Sequence, residues 1–202
     1  MRNRSRFGCF KTADVVWCGL FAALLSVGAW IRIMIPIGVF QVTFSLQLLF
    51  ALLAGLLLGP EKGLCSVVSY LLVGLSGVPV FAHGGGLAYL ARPTFGFLIG
   101  FAAAAYIAGA CAERVHRGTI PRLLFSAFCG EMAYYGCGLL YYFISFNYIL
   151  THGTAIGVRE LLTVWFLSTV IPDFLLCVMA SLLAARLLPQ MKYLRKNGGR
   201  FL

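Results

Sequence analysis

A chain of 202 residues that is 61% hydrophobic and only 11% charged, with a mean hydropathy of +0.92, is no soluble domain. Soluble domains carry about 25% charged residues, and at about 20 residues per helical span this length holds roughly five to seven membrane crossings and no separate soluble domain. The net charge of +10 sits in clusters beside apolar runs, without a basic aromatic surface, so it marks membrane flanks rather than nucleic-acid binding.

Arg2, Arg4, Arg6 and Lys11 precede the first apolar run, and no small-residue cleavage pattern follows them. They read as the cytoplasmic flank of a retained helix rather than a signal peptide. Six apolar spans follow, at residues 14–33, 44–58, 64–73, 93–112, 123–149 and 161–188. The second and third are short for a bilayer, hence tilted, broken or sheltered by neighbours. A tight Gly59-Pro60-Glu61-Lys62-Gly63 turn joins them. The expected fold is all-α, a bundle of six transmembrane helices in a single integral membrane domain over 1–202, with basic cytoplasmic ends at 1–12 and 189–202. An even number of spans with both termini in the cytoplasm leaves only Arg32, Arg92 and Arg159 of the 16 lysines and arginines outside, as the positive-inside rule requires. The connections at 36–42 and 151–160, and the glycine-rich stretch after the third span, then face outward. Small residues recur four apart at Gly55 and Gly59, Gly96 and Gly100, Ala105 and Gly109, and on the first span at Gly19 and Ala23 and at Ala22 and Ser26. Such spacing lets helix backbones meet closely in lipid.

The stretch FAHGGGLAYLARPTFGFLIGF (81–101) is the most informative. Hydrocarbon cannot satisfy bare amides, so the glycines Gly84, Gly85 and Gly86 must face water, protein or a ligand. They form either a pocket wall or a plain exposed turn. His83 adjoins them, Tyr89 follows, and Arg92 stands just before Pro93 as a pocket-mouth cation or a snorkelling interfacial arginine. Ser45 and Gln47 near the outer end of the second span hydrogen-bond either a ligand or a neighbouring helix. Glu131, in FCGEMAYYG beside Tyr134 and Tyr135, and Asp173, after Pro172, are carboxylates inside spans. Such groups are costly in lipid and are functional candidates unless they are satisfied structural carboxylates.

Seven scattered cysteines without a CxxC pair form neither a disulfide framework nor a metal site. His83, His116 and His152 have no metal-binding partner at helical spacing. Gly74-Leu75-Ser76-Gly77 lacks the pattern of a serine nucleophile. The six carboxylates are too dispersed for a metal-dependent phosphotransferase, and no phosphate-binding loop supports ATP hydrolysis by this chain. Binding is the stronger reading, and catalysis the weaker.

With these residues in view, the chain resembles the BioY family, the biotin-binding substrate (S) components of energy-coupling-factor (ECF) vitamin transporters. The likeness runs from about residue 21 to 185 and is most specific in VTFSLQLLFALLAGLLLGPEKG (42–63) and GLSGVPVFAHGGGLAYLARPTFGFLIGF (74–101). The resemblance implies an S-component fold with an outward-open pocket covered by outer loops, in a bacterial cell membrane. It implies biotin as ligand, no cofactor, and as partners a transmembrane coupling (T) subunit and a pair of ABC ATPases. Small residues on the first helix, here Gly19, Ala22, Ala23 and Ser26, would meet the T subunit. Ligand-binding positions would be Ser45, Gln47, His83, Gly84, Gly85, Gly86, Tyr89, Arg92, Tyr134, Asp173 and Cys177. Tyr89 and Tyr134 would wall the ring system, and the polar groups would meet the ureido and carboxylate ends.

The sixth helix departs from the family. Members commonly carry Pro-x-Asp followed three residues later by lysine; here Asp173 comes one place early and Cys177 stands where the lysine would be. In one explanation Arg92 replaces the missing cation and the ligand is still biotin. In the other the pocket has drifted to a different vitamin or small carboxylate. A membrane-embedded lipid-modifying enzyme is the alternative from a different class.

Overall fold

The helices form where long apolar runs are bounded by charge, proline or glycine. The structure is a computed structural model that describes residues 12–37, 40–114, 119–145, 147 and 167–197. The flanking Arg2, Arg4 and Arg6, the residues His116, Arg117, His152 and Arg159, the connection at 151–160, the first residues of the sixth expected span and Arg200 lie outside the described residues.

Helix α1 (Thr12–Trp30) buries Cys18, Phe21, Leu25, Gly28 and Ala29 along one stripe. Their spacing of three and four residues is one helical face. Val15, Val16, Leu20 and Val27 on the other face are exposed, as a lipid-facing surface requires. The helix ends at Trp30, before the expected boundary at Ile33, and the chain forms a hairpin of β1 (Arg32–Ile37) and β2 (Phe40–Ser45). The strands pair antiparallel with Arg32 opposite Ser45 and Ile37 opposite Phe40. Ile33, Ile35, Val42 and Thr43 are β-branched residues that suit a pleated surface. Pro36 is tolerated because each strand of a two-stranded ribbon is an edge. The first connection is therefore strand, a departure from the purely helical expectation.

Helix α2 (Gln47–Leu58) is the central element, with nine of its 12 residues buried. At Gly59, whose φ of 86° favours glycine, the chain turns directly into α3 (Pro60–Leu75). The Gly59 amide donates to Gly55 O at 2.9 Å, and Pro60 opens α3 where a missing N–H costs nothing. α3 is longer than the expected 64–73. Lys62 in its first turn is paired with Asp14 of α1, and the Lys62 carbonyl accepts from Cys18 Sγ at 3.4 Å.

A loop containing a short 3-10 helix (Leu87–Ala91) leads to α4 (Phe95–Arg114), then α5 (Ile120–Ile144) and α6 (Leu167–Asn197). α6 runs on through Pro172 and Pro189. α4 makes its most extensive contact with α5. The glycine spacing read as packing does serve packing at several positions. A Cβ on Gly55 would strike the Ala105 carbonyl, on Gly96 the Tyr141 side chain, on Gly100 Tyr134, and on Gly109 the Gly59–Pro60 backbone. Gly19 has nothing within 4 Å.

Among the described residues there are six α-helices. Four are long and apolar enough to cross a membrane: Thr12–Trp30, Phe95–Arg114, Ile120–Ile144 and the Thr169–Met191 part of α6. α2, at 12 residues, is about 18 Å long against a hydrocarbon core of about 30 Å. Its burial by neighbouring helices makes that shortness tolerable.

Candidate ligand site at the hairpin end

The hairpin, the start of α2 and the loop between α3 and α4 meet at one end of the bundle. Gln47, the first residue of α2, is 3% exposed. Its side-chain oxygen accepts from Ser45 Oγ at 3.3 Å, and its Nε2 donates to the Tyr70 hydroxyl of α3 at 2.6 Å. Tyr70 in turn donates to the Val80 carbonyl at 3.2 Å. One hydrogen-bonded chain thus ties β2, α2, α3 and the loop.

Aromatic contacts continue it. Tyr70 meets Phe81 edge-on at 5.4 Å between ring centroids, Phe81 meets Tyr89 at 4.8 Å, Tyr89 meets Phe95 at 6.4 Å, and Phe95 meets Tyr141 of α5 at 5.9 Å. Tyr141 returns to the 3-10 helix by donating to Leu90 O at 2.6 Å. Such offset and tilted pairs add specific geometry to their burial. The Arg92 guanidinium lies over the Tyr89 ring, 5.3 Å from its centroid.

The three glycines have distinct structural reasons. Gly84 and Gly86 take φ values of 106° and 96°, and a Cβ on Gly85 would strike the Val78 carbonyl. The amide of Gly84 donates to Phe81 O at 3.2 Å and that of Gly86 to Gly74 O at 2.8 Å. The first amide is engaged inside the loop and the second ties the loop to the end of α3, so both glycines act by shaping it. His83 is exposed as a residue, yet partial desolvation of its imidazole, and then the charges of Arg32 and Arg92, hold its pKa below the ordinary value of 6.5.

A second polar group lies between α5 and α6, about 10 Å further from the hairpin end by helical rise. Tyr135 OH donates to Asp173 Oδ2 at 2.5 Å and shares a 2.7 Å hydrogen bond with Thr169. One turn on, Cys177 Sγ donates to Glu131 Oε2 at 3.2 Å. Glu131 is 0% exposed, and its Oε1 has no hydrogen-bond partner. Tyr134 stacks on Phe101 of α4 at 5.1 Å with ring planes 12° apart, and touches Phe97 and Tyr135.

The structure thus brings Ser45, Gln47, His83, Gly84, Gly85, Gly86, Tyr89 and Arg92 to one end, and sets Tyr134, Asp173 and Cys177 in the deeper group. α4 and α5 carry parts of both. Sequence reasoning passed over Tyr70, the hub of the first group. A tyrosine amid apolar helix residues was the available signal, since a buried phenol needs a partner. It also treated Arg32 only as an outer charge. Among the described residues no cluster of three or more His, Cys, Asp or Glu is placed to hold a metal ion.

The apolar spans and this site define a multi-pass helical membrane protein with an aromatic-walled, polar-anchored site at one end of its bundle. The fold is similar, with a TM-score of 0.75 over 89% of this chain and 94% of the other, to a 2.1 Å crystal structure of the S-component for biotin from an ECF-type ABC transporter, at 21% identity. A family model described as the BioY family matches residues 1–193, and the chain belongs to that family. It is 38% identical over 177 residues to a probable biotin transporter BioY of Lysinibacillus sphaericus, covering 88% of this chain and 87% of that one. It is 36% identical over 175 residues to the biotin transporter BioY of Thermotoga maritima, covering 86% and 95% respectively.

Proposed function

We propose that this chain is the high-affinity substrate-binding component for biotin of an ECF-type ABC transporter. The observation that carries the reading is its likeness, across most of both chains, to relatives named biotin transporters. The family consists of transporter components, not enzymes, which sets aside the lipid-modifying alternative.

The site supports the reading through its chemistry. Ligand pockets combine apolar walls with a few placed polar anchors. Tyr89 and Tyr134, backed by Phe81, Phe95 and Phe101, supply flat apolar walls for a fused ring system. Ser45, Gln47, His83, the backbone of Gly85 held between the shaping glycines Gly84 and Gly86, and Asp173 supply the hydrogen-bonding groups for a ureido function. Arg92 takes the part of the lysine that Cys177 replaces, holding the carboxylate through its planar fork. Among the described residues the hydrogen-bonded partners of the deeper group, Tyr135, Thr169, Asp173, Glu131 and Cys177, include no cation, which supports this division.

In the membrane, the chain is one integral domain of six crossings with both termini cytoplasmic and the hairpin end outside. α2 and α3 would cross as a pair hinged at Gly59. The exposed, small side of α1, with Gly19 open to the surroundings and Ala23 exposed beside half-buried Ala22 and Ser26, would dock on the T subunit, through which cytoplasmic ATPases drive transport.

Titration calorimetry of the purified, folded chain with biotin tests the assignment. Nanomolar one-to-one binding is expected. Absence of heat from a protein shown to be folded would reject biotin and turn the search to other vitamins and small carboxylates.

A further inference from the structure

Among the described residues Arg32 has no carboxylate to meet. It is the first residue of β1, placed across the ladder from Ser45, whose hydroxyl is bonded to Gln47. Its Nη1 is buried and has no hydrogen-bond partner. The residue stands near the same two groups as Arg92: the charges of both arginines act on His83 and on Tyr89. Of the chain's six acids, Glu160 lies outside the described residues; Asp14 is paired with Lys62 and Glu113 stands beside Gly59, both at the opposite end, with Glu61 next to Lys62. Glu131 and Asp173 belong to the deeper group on α5 and α6. Among the described residues, then, the hairpin end holds two guanidiniums and no carboxylate.

A buried, unpaired donor on a charged group is among the more costly things a fold can retain. Like charges brought to one site repel, and an anion between them removes both penalties. Two planar forks suit a carboxylate, whose two oxygens each accept more than one N–H.

We propose that Arg32 is a second cation of the ligand site and holds the carboxylate of the ligand together with Arg92. The inference rests on the biotin reading above and extends it. It assigns the first connection a binding role: the hairpin brings a charge to the site. It also gives the site a second answer to the lysine missing at Cys177. The anion's oxygens could in principle come from a lipid phosphate, and the test separates the two sources.

The test measures the affinities of wild type, Arg32→Ala, Arg32→Lys and Arg92→Ala for biotin and for biotin methyl ester, which keeps the rings but loses the charge. Folding of each variant is checked by its elution and helical signal. Arg32→Ala is expected to weaken biotin binding at least tenfold while changing ester binding less than twofold, with Arg32→Lys recovering part of the loss. Equal losses for biotin and ester would show a structural role only, and an unchanged biotin affinity would show that Arg32 does not reach the ligand. Either result overturns the inference while leaving the biotin reading intact. An unchanged biotin affinity with reduced retention of phosphatidylglycerol would assign Arg32 to a lipid headgroup and likewise overturn it. A folded wild type that binds neither compound would remove the biotin reading and this inference with it.

Discussion

Replacing Tyr70 by phenylalanine removes one oxygen from the interior and leaves the ring that packs on Phe81. That oxygen accepts from Gln47 Nε2 at 2.6 Å and donates to Val80 O at 3.2 Å. Tyr70 and Gln47 are 1% and 3% exposed, so water does not replace the lost partner. Ser45 still holds the Gln47 oxygen and keeps the amide aimed at the vacated position. A buried donor without a partner costs about 1–3 kcal/mol, and the half-buried Val80 carbonyl, with a second lone pair and some access to water, adds less. Tyr70→Phe is expected to destabilise the chain by about 2 kcal/mol. Unfolding by SDS in mixed micelles, followed by tryptophan fluorescence, measures this. A double-mutant cycle sharpens the test: Gln47→Leu together with Tyr70→Phe removes both polar partners, so the pair should cost less than the sum by about 1 kcal/mol. A Tyr70→Phe cost below about 0.5 kcal/mol, or strict additivity, would refute the claim that this hydrogen bond anchors the site.

Arg92→Ala should weaken biotin binding at least tenfold, about 1.4 kcal/mol, in calorimetric titration; unchanged affinity would dispose of its role as replacement cation. Gly55→Ala puts a methyl group against the Ala105 carbonyl, and overpacking of this kind costs about 1–3 kcal/mol, read by SDS unfolding. The same measurement on Gly19→Leu should show little change, since nothing lies within 4 Å. That variant should instead lower co-purification with the T subunit while leaving biotin binding by the isolated chain intact. His83, held below the ordinary 6.5 by desolvation and then by Arg32 and Arg92, takes up its proton less readily in the fold than in the unfolded chain. Stability without ligand should therefore fall as pH drops below about 6.5 and level off beneath the folded pKa. His83→Gln should remove that component, and an identical pH profile for the variant would contradict it.

The long helices were readable because runs such as 95–114 are apolar from end to end and bounded by charge. The same apolar richness hid the hairpin. Ile33-Met34-Ile35-Pro36-Ile37 satisfies a helical membrane reading as well as a strand, and in so greasy a chain the period-two alternation that marks strands is muted. Packing glycines were legible because small-residue spacing has a local signature. The bond from Cys177 to Glu131 was not, because it joins residues 46 apart on different helices. Gln47 and the glycine loop carry local signals in the sequence, a polar residue in an apolar run and three consecutive glycines, but Tyr70, which connects their elements, has no local motif. Its role exists only once α2 and α3 are folded back at Gly59.

The interlocking of backbones described for α2, α3, α4 and α5 has a mechanical meaning. Gly55, Gly63, Gly96, Gly100, Gly109, Gly130 and Gly138 sit where even a methyl group would collide with a neighbouring backbone or ring. Helices that touch at their spines cannot slide or part by small steps without losing many contacts at once, since close-packed interiors transmit strain rather than absorb it. A bundle made this way resists opening a path through its own middle. Cargo held at one end would reach the far side of a bilayer more readily if the whole body tipped than if its staves were pried apart. Helix α1, with its apolar flank turned outward, is then the natural handle by which another protein could turn it.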